Sequence, residues 1–308
     1  SPESVTILEP ASPALADQQK PFSHFLSAGL IALTVSLALL LFLDHVDDRI
    51  KSFTELEEWF SEAVLAQVPL QPTARHRAEV CLLEPNDARH AFVEACRSLR
   101  SSVLFHEPNG PQPRTLLFTS SIPGEGKSLI SANFAITMAR AKARVLLIDA
   151  DLRKGVLHER FGLTPELGLT EVLSQGASWQ KAVLATACPG LDLLPRGTPI
   201  STSGELFLAA TTQQFLKEAT ANYDFLILDT APVMAADDVT SLAPRVDGVL
   251  FVLRAEHTSA RVARAALELL YRRQVSVLGL VFNAVRPTNA DYYGYTLETP
   301  AQTRTPVS

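Results

Sequence analysis

Residues Leu116–Ala135 read LLFTSSIPGEGKSLISANFA. A short apolar run leads into a turn-rich segment, and a helical pattern follows. The turn closes on Gly126-Lys127-Ser128, the end of the phosphate-loop pattern. Glycines there let backbone N–H groups approach phosphate oxygens, and the start of the next helix adds partial positive charge. Lys127 can reach the outer phosphates, and the Ser128 hydroxyl can ligate Mg²⁺. The candidate nucleotide-binding run is therefore Pro123, Gly124, Glu125, Gly126, Lys127, Ser128 and Leu129. Ser121 stands where the general pattern has its first glycine. A chance glycine-rich turn needs neither a strand before it nor a helix after it, so the context favours nucleotide binding.

The same alternation of strand and helix extends outward from about residue 87. Strand-like apolar runs occupy Thr115–Thr119, Val145–Ile148, Leu191–Leu194, Phe225–Leu228, Val249–Leu253 and Leu278–Phe282. Helical patterns at Ser128–Arg140, Thr211–Ala221 and Thr258–Arg273 separate several of them. Strands apolar at nearly every position are buried on both faces. The fold class expected is α/β, a doubly wound, mostly parallel sheet. Ligands bind such sheets at the carboxyl ends of the strands.

Two strand ends carry carboxylates. Val145–Ile148 runs into Asp149-Ala150-Asp151-Leu152-Arg153, and Phe225–Leu228 into Asp229-Thr230-Ala231-Pro232. Alternate residues of an extended chain point to one side, so Asp149 and Asp151 can face one site. Mg²⁺ takes oxygen ligands, and a carboxylate can also accept a proton from an attacking hydroxyl. One such aspartate could merely cap a helix. Three of them at two strand ends, beside a phosphate loop, point to chemistry.

Composition bounds the rest. The chain has 308 residues, 47% hydrophobic and 19% charged, which excludes a wholly disordered chain. Its formal net charge of −6 disfavours nucleic acid as the main partner. Cys81, Cys96 and Cys188 fit neither a disulfide framework nor a zinc site. Phe25–Leu43, FLSAGLIALTVSLALLLFL, is uncharged and long enough to span roughly 28 Å as a helix. It reads as one transmembrane helix over 22–43, with the chain beyond it on the cytoplasmic side. Asp44–Val68 has helical spacing and many charges, and would continue as a stalk until Pro69 and Pro72 break it. Segment 44–86 is thus expected to be juxtamembrane stalk and linker.

Together, Pro123–Ser128, Asp149–Arg153 and Asp229–Pro232 resemble the three motifs of the bacterial tyrosine kinases. These are P-loop ATPases related to the MinD-like partition ATPases. The resemblance covers roughly Ala88 to Tyr295. It implies a P-loop kinase domain over 87–288 using ATP and Mg²⁺. Lys127, Asp149, Asp151 and Arg153 would be catalytic, and Ser128, Asp151 and Asp229 would hold the metal. Asp149 is the first choice for activating the acceptor, though Asp149 and Asp151 could exchange roles. Asn283, ending the last strand, would lie near the adenine. A turn-forming role for Asn283 is nearly as well supported.

Two further features extend the resemblance. His90–Phe105 contains Glu94, Arg97 and Arg100, matching the helix that joins neighbouring subunits of the family in a ring. Spacing alone favours an ordinary intrahelical Glu94–Arg97 pair. The tail over 289–308 holds Tyr292, Tyr293 and Tyr295 and lacks apolar periodicity. The resemblance implies that these tyrosines are phosphorylated between subunits. The membrane part resembles the last segment of a polysaccharide co-polymerase. Residues 1–21 would then be the end of a periplasmic arm, and the chain the C-terminal part of a larger protein. The implied setting is a bacterial inner membrane, with exopolysaccharide or capsule polymerase and export proteins and a cognate tyrosine phosphatase as partners. Two alternatives stand beside this: a MinD-like ATPase switch, and a nucleotide-gated scaffold that does not transfer phosphate.

Overall fold

A computed structural model describes residues 21–71, 82–106, 111–201 and 203–286, with backbone alone at 21–24 and 43–46. The described residues from 48 onward cluster as one compact unit, and those before 48 as another.

The first unit contributes helix α1 (Pro21–Val46). Within it Phe25–Phe42 has a mean hydropathy of 2.4, and every one of those side chains is exposed. It is long and apolar enough to cross a membrane, spanning roughly 27 Å.

The second unit is built in chain order. It opens with α2 (Phe53–Trp59), β1 (Val64–Pro69), α3 (His90–Leu104), β2 (Thr115–Ser120), α4 (Lys127–Arg140) and β3 (Val145–Asp149). Short helices α5 (Leu157–Arg160), α6 (Leu169–Gln175) and α7 (Trp179–Ala182) precede β4 (Leu184–Ala185) and β5 (Leu191–Leu194). Then follow α8 (Ser203–Leu208), α9 (Ala210–Asn222), β6 (Phe225–Asp229), α10 (Asp238–Leu242), β7 (Gly248–Arg254), α11 (Ala260–Arg272) and β8 (Val277–Val285).

The strands form one sheet in the order β1-β8-β7-β2-β6-β3-β5-β4. Every pairing is parallel except β4 with β5. β2, β3 and β6 are buried at every position, and a separate apolar cluster covers each face of the sheet. Such burial contributes about 1.5–3 kcal/mol for each large aliphatic side chain. The doubly wound α/β sheet read from the sequence is the fold observed.

The segment after α1 departs from expectation. No single helix runs through 44–68: α1 ends at Val46, α2 is seven residues long, and Val64–Pro69 is an edge strand parallel to β8. Leu56, Leu65 and Val68 are buried in the core of the second unit. The charges in TELEEWFSEAV imitate a solvated helix. The available edge of β8 and the apolar cover beneath it decide the outcome, because strand formation follows context more than propensity. The stalk assigned to this segment is therefore corrected: residues 48–71 belong to the folded unit.

Candidate active site

The order of strands explains how the site assembles. β6 lies between β2 and β3, so the loop after β2 and the carboxylates ending β6 and β3 meet at one edge. Asp149 and Asp229 are direct neighbours in the β3–β6 register. The loop turns into α4 at Gly126, whose φ of +94° suits glycine. Its carbonyl accepts hydrogen bonds from the N–H groups of Leu129 and Ile130, both at 3.0 Å. A Cβ at Gly126 would sit 2.0 Å from the Asn283 amide nitrogen, so packing also demands glycine.

Lys127 is the hub. Its Nζ lies 3.2 Å from Ser128 Oγ, 3.4 Å from Asp151 Oδ2 and 3.9 Å from Asp229 Oδ2. Asp149 and Asp229 are fully buried, and one oxygen of each has no hydrogen-bond partner. The other oxygen of Asp149 accepts from the Leu157 N–H at 2.9 Å. Burial, then the charge of Asp229, pushes the Asp149 carboxyl up to about 7. Burial also raises Asp229, while Lys127 and Ser128 oppose it. A Cβ at Gly155 would meet Asp149 at 2.1 Å, so glycine lets the following turn close over this carboxylate. Arg160 on α5 is half-buried. Burial lowers its pKa, and the charges of Asp229 and Asp149 push it back up.

The donor set suits a hard cation. A hydroxyl and carboxylates surround Lys127, and two buried carboxylate oxygens lack partners. Among the described residues no group of three metal-ligating side chains forms a cage of its own. Mg²⁺ is commonly held by one or two carboxylates together with substrate phosphates.

Three residues stand differently from expectation. Arg153 Nε lies 3.4 Å from Asp238 Oδ2 and 3.4 Å from Ser203 Oγ. The Glu125 side chain points into the protein, accepting from Ser121 Oγ at 2.7 Å, from Ile122 N–H at 2.8 Å, and from Thr258 Oγ1. Its burial raises its pKa. Only the backbone of Glu125 can serve phosphate. Asn283 donates from Nδ2 to the Glu125 carbonyl at 2.9 Å and accepts from the Ala284 N–H at 2.8 Å. Its amide thus ties the loop to the end of β8. Sequence reasoning missed Thr258, Arg254 and His257, whose advance signal was their place at or just past the carboxyl end of a strand.

On α3, Glu94 and Arg97 are exposed and paired with each other. Arg100 is half-buried, and its Nη1 donates to the Thr137 carbonyl on α4 at 3.3 Å. Tyr292, Tyr293 and Tyr295 lie outside the described residues.

Comparison with known proteins shows the family. Residues 113–291 match the ParA family, described as NUBPL iron-transfer P-loop NTPase. EpsB of Ralstonia solanacearum is 36% identical over 78% of this chain. The tyrosine-protein kinase YwqD of Bacillus subtilis (strain 168) is 34% identical over 71% of this chain and 91% of its own length. The chain belongs to the bacterial tyrosine-protein kinases, within the ParA-type P-loop NTPases. The kinase domain of Escherichia coli tyrosine kinase ETK superposes on this family member with a TM-score of 0.69, at 26% identity. The match covers 78% of this chain and 96% of the ETK domain. This member of the tyrosine-protein kinases spans 33% of the length of EpsB.

Proposed function

We propose that the chain is a membrane-anchored, ATP-dependent protein tyrosine autokinase that phosphorylates its tail tyrosines in trans. The observation that carries this reading is the Lys127, Ser128, Asp151 and Asp229 cluster beside a buried Asp149. Phosphoryl transfer needs positioning and charge neutralisation more than covalent help from the protein. Lys127 and the loop amides hold the transferring phosphate. Ser128, Asp151 and Asp229 would hold Mg²⁺, which offsets phosphate charge when bound. The acceptor phenol oxygen forms the new bond to the γ-phosphorus, and the bond to the β–γ bridging oxygen breaks as ADP leaves. Asp149 takes the phenol proton, a task suited to a carboxyl poised at about 7. Arg153, set against Asp238, serves the rim of the site and not the transferring group.

The acceptors are Tyr292, Tyr293 and Tyr295 of a neighbouring copy, brought near by a ring in which exposed Glu94 and Arg97 meet the next subunit with Arg100 behind them. Helix α1 anchors the chain in a bacterial inner membrane, with the kinase unit on the cytoplasmic side. There it regulates exopolysaccharide or capsule polymerisation and export, and a phosphatase resets it. The test is intact mass after incubation with ATP and Mg²⁺, with Lys127→Met in parallel. Added phosphates on the tail that are missing in the variant support the reading. The ParA-family match favours one second reading, an ATPase switch, which phosphate release without phosphotyrosine would select.

A further inference from the structure

The phosphate loop is gripped from behind by residues that take no part in the proposed chemistry. β7 ends at Arg254 and α11 begins at Ala260. The turn between them carries Thr258, which is fully buried. A hydroxyl has one proton to donate and two lone pairs to accept with. Thr258 Oγ1 uses both functions: it donates to the Glu125 carboxylate and accepts from the Arg254 N–H at 2.8 Å. Arg254 Nη1 donates to the Gly124 carbonyl at 2.9 Å, and His257 Nε2 lies 3.3 Å from the Pro123 carbonyl. The Ala255 N–H donates to the carbonyl of Asn283, whose amide holds the Glu125 carbonyl. Three successive loop residues, Pro123, Gly124 and Glu125, are thereby tied to one turn.

That turn is pinned in its own right from the far side. Ile50, 1% exposed, donates its N–H to the Thr258 carbonyl at 3.0 Å. Its carbonyl accepts from the Glu256 N–H at 2.8 Å. The Asp48 carbonyl accepts from the Ala260 N–H at 2.9 Å, and the Asp48 carboxylate accepts from Ser259 Oγ at 2.6 Å.

We infer that Thr258 and Glu125 are positioning residues that hold Pro123–Glu125 in its phosphate-receiving shape, and that Asp48–Ile50 fix Thr258 from behind. The inference rests on the reading that this loop binds ATP. Its physical basis is preorganisation: backbone donors already aimed at a phosphate do not have to be ordered by the ligand. Loosening the bracket therefore charges the ordering cost to nucleotide binding. Once nucleotide is bound, Lys127, Asp149 and Asp229 are unaltered, so transfer proceeds at nearly the same rate.

The test uses the full chain in detergent micelles and reads three quantities. They are the Kd of a fluorescent ADP analogue, the split between KM for ATP and kcat, and the melting temperature without nucleotide. Thr258→Val keeps the shape and removes the hydroxyl. It should raise Kd and KM about tenfold, with kcat within about threefold of wild type. Thr258→Ser restores the hydroxyl and should return both to within about twofold. Asp48→Ala should raise Kd and KM about three- to fivefold. Should Thr258→Val fail to melt cooperatively, Glu125→Gln, which keeps the shape, takes its place with the same expected rise. A folded Thr258→Val with wild-type Kd and KM overturns the inference, as does a fall in kcat at unchanged KM. A lowered melting temperature with unmoved KM marks the residue as structural only and overturns it too. Wild-type affinity in Asp48→Ala overturns the fixing role of Asp48–Ile50. If the wild type itself binds no ADP analogue, the ATP reading has failed; variants that match a binding wild type defeat this inference alone.

Discussion

Replacing Asp149 with asparagine should stabilise the protein and disable it at once, in a pH-dependent way. Asp149 is fully buried, and its carboxyl is pushed from 3.8 up to about 7 by burial and by Asp229. The folded state thus binds the proton more tightly than the unfolded state does. Stability must fall as pH rises from about 4 to about 7, and the penalty then stays constant. The gap between those two values corresponds to about 4 kcal/mol at most. Asparagine has nearly the same shape and never ionises. Asp149→Asn should therefore exceed the wild type in stability by up to about 4 kcal/mol at pH 8, but by only about 1 kcal/mol at pH 4.5. Urea unfolding at the two pH values, followed by the fluorescence of Trp59 and Trp179, measures this directly. Asparagine cannot take the phenol proton, so phosphotyrosine formation should drop by about 10²- to 10⁴-fold. A stability advantage that is the same at both pH values would refute the burial argument. Full activity in the variant would refute the role of Asp149 as base.

Other perturbations follow from the same geometry. In the wild type, the rate of phosphotyrosine formation should climb between pH 6 and pH 8 as Asp149 ionises, and a rate profile that is flat across this range would count against the assignment. Gly155→Ala drives a Cβ against the Asp149 carboxylate, so single-turnover phosphorylation should slow at least about tenfold while the circular dichroism of the fold is kept. A fragment starting at residue 79 lacks β1 and α2 and bares the edge of β8. It should unfold several kcal/mol more easily in urea than one starting at residue 48. Glu94→Ala with Arg97→Ala should cost less than about 1 kcal/mol of stability, because the pair is exposed, yet should reduce the oligomer mass seen by light scattering.

Much of the fold was legible because its centre is buried on both faces. Runs such as Val145–Ile148 and Phe225–Leu228 are apolar at every position for that reason, and each appears as a strand with its aspartate at the carboxyl end. Lys127, Ser128, Asp149, Asp151 and Asp229 could be placed in advance because chemistry dictates their type and strand ends dictate their position. Edges were less legible. Val64–Pro69 directly follows glutamates at helical spacing, and the open side of β8 makes it a strand. Side-chain direction was hidden as well. Nothing in PGEGKS says that Glu125 faces inward, because its partner Thr258 lies 133 residues away in sequence. The long-range partners of Asn283 and Arg153 were hidden for a similar reason: residue type does not disclose a contact with Glu125 or with Asp238.

The proposed reaction is transfer from ATP to tyrosine between copies of the chain. Mixing two variants tests it most directly. One carries Lys127→Met with its tail intact; the other has an intact site and Tyr292, Tyr293 and Tyr295 all changed to Phe. With ATP and Mg²⁺ present, mass mapping should find phosphotyrosine on the tail of the Lys127→Met chain, and only when the second variant is there. ATP hydrolysed by the mixture with no phosphotyrosine on that tail would contradict the account and leave an ATPase switch in its place.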